Sequence, residues 1–134
     1  DHGRPWLDTT QTQINSNVNS TCNATWGSGQ LNMYRNGGGC NNTCEIPGVV
    51  SHEWGHGMDE NDGGGFDNPS EPYGDVSEFL NDHSSCVGRG FSKAALIRDG
   101  DPCLTCTGIR DMDWNARTRH TPARIGVAGN LIAS

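Results

Sequence analysis

The sequence predicts an α+β domain, on three observations. Two short runs of strand-forming residues, Ala24 to Trp26 and Gln30 to Arg35, are split by Gly27-Ser28-Gly29, the pattern of a β-hairpin. A proline-led segment, Pro47 to Met58, carries Val50, Trp54 and Met58 one helical turn apart. A later segment, Tyr73 to Asp82, carries Val76, Phe79 and Leu80 at helical spacing.

At 134 residues the chain is expected to form a single domain with a modest core. Only 32% of residues are hydrophobic, the mean hydropathy is -0.67 and 19 residues are glycine, so loops should outweigh regular elements. The net charge of -7, from 16 acids against 9 bases with no basic cluster, argues against nucleic acid as a partner. No apolar run approaches the length of a membrane-spanning helix, so no membrane span is expected. The chain starts at Asp1 without a signal-peptide pattern, which reads as a processed or trimmed piece of a longer protein. Six cysteines, Cys22, Cys40, Cys44, Cys86, Cys103 and Cys106, form an even set in a loop-rich acidic chain. They favour disulfides, and with them an oxidising compartment, over free thiols or a zinc knot; spacing does not choose among the pairings.

In chain order, residues 1 to 44 show no sustained helical periodicity, and the hairpin lies within them. The first helix is expected over Pro47 to Met58, with the proline where a missing N–H costs nothing. Gly48, Gly55 and Gly57 each weaken an isolated helix by about 1 kcal/mol relative to alanine, so packing or a metal has to hold it. A turn-rich acidic loop from Asp59 then leads to the second helix, with Val76, Phe79 and Leu80 expected inward. Beyond it lie a short apolar segment at Ala94 to Ile97, a cysteine-bounded turn and a weak tail.

The chemistry concentrates in His52-Glu53-Trp54-Gly55-His56, an HExxH pattern. On a helix the two imidazoles lie one turn apart on one face and can reach the same ion, with Glu53 beside them. Two imidazoles suit a borderline-soft divalent cation, zinc first, and a catalytic zinc takes three protein ligands and keeps a position for water. Glu53 is then the candidate general base. Two residues compete as third ligand. Asp62 lies six after His56, but Asp59 stands where that arrangement places a glycine turn. Glu71 opens the second helix and is followed one turn later by Asp75, so Glu71 can bind the ion while Asp75 accepts an imidazole N–H and fixes its tautomer.

HExxH followed by ExxxD resembles the gluzincin metallopeptidases of the thermolysin and fungalysin type, with His52, His56, Glu71 and Asp75 matching residue by residue. Asn23 to Tyr34 is similar to the NA(F/Y)W strand of those enzymes and the strand after it. The HEWGHGMD stretch, the NPSE segment and the CTGIRD stretch resemble bacterial secreted endopeptidases over roughly residues 20 to 115. The resemblance implies a piece of a metallopeptidase catalytic domain that hydrolyses peptide bonds of a peptide or protein substrate outside the cell or in the periplasm. It implies that His52, His56 and Glu71 bind zinc, that Glu53 is the base, and that Asn23 and Ala24 hold the substrate backbone along an edge strand. It also implies a late histidine that stabilises the transition state, for which this sequence offers His120. The sequence departs from the family in lacking the tyrosine between His56 and Glu71, and in placing Ser70 where the family has an asparagine before the third ligand. A metzincin-like protease using Asp62, and a non-catalytic secreted module supported by its metal, are the alternative readings. The acids Asp59, Glu60, Asp62 and Asp67 offer the hard oxygens that calcium takes, although the spacing does not match an EF-hand and a solvated acidic loop fits better.

Overall fold

A computed structural model describes residues 6, 9–62, 70–93 and 108–112. The hairpin has strands β2 (Ala24–Gly27) and β3 (Gln30–Tyr34), paired antiparallel with Gly27 opposite Gln30. Ser28 and Gly29 both have positive φ, 52° and 73°, the conformation of the two-residue turn whose twist matches that of the flanking strands. A strand that the sequence did not announce, β1 (Gln13–Val18), pairs parallel with the other side of β3, so the sheet order is β1-β3-β2. Amide side chains rather than apolar ones tie β1 to the sheet. Asn15 Nδ2 donates to Gln30 Oε1 at 2.8 Å and to Asn32 Oδ1 at 2.9 Å.

One face of the hairpin supplies Ala24, Leu31 and Met33 to the core, which is completed by Ile46 and Val49 and flanked by Trp26, Val50, Trp54 and Phe91. Thr43 is also fully buried; its hydroxyl accepts the Tyr34 N–H at 2.7 Å and lies 3.3 Å from the Asn23 carbonyl, fixing both ends of the hairpin. A single 3-10 turn, Thr43–Glu45, leads into helix α1 (Pro47–Asn61), which continues about one turn past the expected end. Asp59 and Glu60 thus belong to this helix and not to a loop. Asp59 is buried, and burial raises its carboxyl above the ordinary range.

Helix α2 (Ser70–Asp82) packs along α1, but not on the face expected. Phe79 and Leu80 are 41% and 65% exposed and Val76 is half-buried, whereas Pro72, Gly74, Asp75, Ser77 and Glu78 are buried. The close approach of the helices selects this face. A Cβ at Gly55 would lie 2.7 Å from the Gly74 Cα and 2.8 Å from the Ser77 Cβ, so only small residues fit where the axes meet. The Ser77 hydroxyl donates to the Ser51 carbonyl at 2.9 Å across the same junction. Two short strands, β4 (Cys86–Val87) and β5 (Arg110–Asp111), pair antiparallel after α2.

Cys22 and Cys40 form a disulfide, and Cys86 is also disulfide-bonded. Cys44, expected to be paired, is a free thiol packed against the core. Cys103, Cys106, Asp67, the Ala94 to Ile97 segment and His120 lie outside the described residues. No helix among the described residues is long and apolar enough to cross a membrane.

Candidate metal centre

Val49, His52, Glu53 and His56 recur at helical spacing on α1, and all four line one cleft of about 730 Å³. The sheet supplies the facing wall, since Asn23, Ala24, Thr25, Trp26 and Gly27 line the same cleft. Glycine at position 57 permits the approach of sheet and helix, because a Cβ there would lie 2.8 Å from the Trp26 ring. The Trp26 indole N–H donates to the Glu60 carboxylate, a second tie between β2 and α1.

From α2, Glu71 reaches over both imidazoles. Its Oε2 lies 3.5 Å from His52 Nε2 and its Oε1 lies 3.6 Å from His56 Nε2, and the two Nε2 atoms are 3.1 Å apart. One ligand atom from each of His52, His56 and Glu71 falls within 4.8 Å of the other two, so the three can hold a metal ion. Convergence of two imidazole nitrogens and a carboxylate on one point is itself the fit: the facing lone pairs need a proton or a cation between them. Asp62, the competing third ligand, caps the far end of α1 and is not in this set.

Asp75, one turn beyond Glu71, is buried with its Oδ1 3.1 Å from His52 Nδ1. The contact is an ion pair off the alignment of a good hydrogen bond. Burial alone would lower the His52 pKa, but the contacts with Asp75 and Glu71 outweigh it and raise it to about 9. His56 moves the other way, because burial and the charge on His52 both disfavour a second imidazolium. Its Nδ1 is buried without a hydrogen-bond partner among the described residues.

Glu53 is buried, and desolvation raises its carboxyl above the ordinary range even though His52 and the Trp26 backbone N–H favour the charged form. The bond from Trp26 also sets the exposed edge of the sheet. Strand β2 is an outer strand, and on an antiparallel strand alternate residues present their N–H and C=O to the same side. With the Trp26 N–H turned toward Glu53, Ala24 also turns its peptide groups to the cleft.

The structure thus brings together His52, Glu53, His56, Glu71 and Asp75, with Asn23 and Ala24 on the opposite wall. Sequence reasoning missed Gly74, whose absent side chain leaves room for the His52 ring; a Cβ there would lie 2.7 Å from His52 Cε1. A glycine between Glu71 and Asp75 was the available signal. Neither a protein-family model nor a curated protein matches the sequence.

Proposed function

We propose that the protein is a zinc-dependent endopeptidase of thermolysin-like type. The observation that carries this reading is the closure of Glu71, from a separate helix, onto both histidines of the HExxH pair beside an open strand edge. His52, His56 and Glu71 would hold the zinc, the ion for which two imidazoles and a carboxylate are a standard catalytic set. Bound zinc supplies Lewis acidity and lowers the pKa of a coordinated water to about 7.

The chain's own residues divide the remaining work. Glu53, raised by burial, accepts a proton from the attacking water and returns it to the leaving amine. Asp75 holds the His52 ring in orientation. Asn23 and the outward peptide groups of Ala24 bind an extended peptide by adding a strand to β2. The Cys22–Cys40 disulfide supports a location outside the cell or in the periplasm.

Glu53→Gln tests the reading. The variant should keep one zinc per chain and lose hydrolysis of a denatured protein by about 100-fold or more. A variant as active as the parent would sink the assignment.

A second reading, a metal-supported module without catalysis, is favoured by one observation. Among the described residues lining the cleft there is no tyrosine and no third histidine to stabilise an oxyanion. Zinc binding by the whole protein without turnover of any denatured substrate would decide for it.

A further inference from the structure

The cleft extends beyond the metal ligands. Along the inner face of α2, Glu71 and Asp75 are followed by Glu78, two turns and about 10 Å from Glu71. Glu78 is 1% exposed and lines the same cleft as His52 and Glu53, as do Val49, Val87 and Ile109. Its Oε1 accepts the Gly88 N–H at 2.7 Å, and its Oε2 is buried with no hydrogen-bond partner among the described residues. A Cβ at Gly48 would collide with Oε1, so the carboxylate is pressed between the start of α1 and β4.

Among the described residues no lysine or arginine side chain lines the cleft, and the neighbouring charges are the acids Asp75 and Asp82 with the His52 ring. Burial accordingly pushes the Glu78 carboxyl up to about 7. A residue needed only to fill this space would be apolar, since an unpaired buried carboxylate is costly and hydrophobic replacements of buried charges are commonly neutral or stabilising. The surroundings are instead those of a half-built ion pair, with aliphatic residues in the same cleft and one carboxylate oxygen without a partner among the described residues.

We infer that Glu78 is a specificity determinant that receives the cationic end of a substrate lysine or arginine at one position flanking the scissile bond. Val49, Val87 and Ile109 would pack on the aliphatic stem, and Glu78 Oε2 would accept a charge-assisted hydrogen bond from the head group. The net charge of -7 favours the approach of such substrates. This inference rests on the peptidase reading above.

The test is a cleavage profile of the zinc-loaded protein and of Glu78→Gln. The substrates are peptides that differ only at the residues flanking one scissile bond, with lysine, arginine, leucine or glutamate there. The parent protein should favour lysine or arginine over leucine by about 30-fold or more in kcat/KM, and Glu78→Gln should bring that ratio close to one. A parent without basic preference, or a preference that survives in Glu78→Gln, overturns the inference and leaves the peptidase reading standing. A zinc-loaded parent that cuts none of the peptides overturns both. The parent profile reports the preference by itself, so the inference stays open to refutation if the variant fails to fold.

Discussion

Asp75 Oδ1 lies 3.1 Å from His52 Nδ1 at a site where both residues are buried, and with Glu71 it raises the imidazole pKa to about 9. In metal-free protein this coupling makes stability depend on pH. The folded pKa stands above the ordinary value of 6.5, so the stabilisation is complete below that value and lost as the pH rises through about 9. The loss should be on the order of 2–3 kcal/mol. Thermal melts in chelator across this range should show it, and Asp75→Asn should flatten the dependence. The same variant should weaken zinc binding by about 10- to 100-fold. Identical melting profiles for the two proteins would contradict the coupling.

Glu71 and Asp62 make opposite predictions about the third ligand. Glu71→Ala should cut zinc affinity by about 100-fold or more, because two imidazoles on one helix are left alone with the ion. Asp62→Ala should leave affinity unchanged, since Asp62 caps α1 away from the ligand set. Zinc titration against a competing chelator separates them, and the reverse ranking would favour the metzincin-like arrangement.

Gly55 tests the helix junction. Alanine gains about 1 kcal/mol in helix propensity over glycine, but its Cβ would lie 2.7 Å from the Gly74 Cα and 3.0 Å from the Tyr73 carbonyl oxygen. Backbone atoms cannot rotate aside as a side chain can, and overpacking of this kind costs about 1–3 kcal/mol. Gly55→Ala should therefore lower the denaturant midpoint and, by forcing α2 outward with Glu71, weaken zinc binding. A more stable variant would mean that the helices are not in this contact.

What the sequence made legible follows from where local rules and packing agree. The hairpin was readable because Ser28-Gly29 meets the positive-φ demand of its turn. Helical spacing put His52 and His56 on one face of a first helix and Glu71 and Asp75 on one face of a second, but it left Glu71 and Asp62 as rivals, because which helix face meets the histidines is decided by packing. Strand β1 was not readable. Gln13 to Val18 lacks apolar alternation, Ile14 is 52% exposed, and an amide ladder specified by β3 holds the strand. The inner face of α2 was misjudged for a related reason. Hydrophobic spacing pointed to Phe79 and Leu80, while the glycines of α1 admitted the face of Gly74, Asp75 and Glu78. Cys44 followed the apolar rule rather than the pairing rule, behaving as a small hydrophobic residue in the core.

The Cys22–Cys40 disulfide ties the entry of β2 to the segment after β3, and both cysteines line the cleft. With a sequence separation of 18, loop-closure entropy gives it a stabilising contribution of about 3 kcal/mol. Replacing both cysteines by serine should lower stability by that order. It should also raise KM more than it lowers kcat if the strand edge around Asn23 and Ala24 binds substrate. Equal changes in both constants would show that the disulfide supports the fold alone.

Buried Glu78 also couples stability to pH. Its carboxyl is pushed from 4.5 up to about 7, chiefly by burial. A raised folded pKa means that the stabilising state is the protonated one, fully present below the unfolded value and lost as the pH rises through about 7. Glutamine carries the neutral shape at every pH and can still accept the Gly88 N–H through its carbonyl oxygen. Glu78→Gln should therefore match the parent protein near pH 4.5 and exceed it above about pH 8 by roughly 2–3 kcal/mol, read as a higher melting temperature. A parent at least as stable as the variant above pH 8 would mean that the Glu78 carboxylate already has a cationic partner.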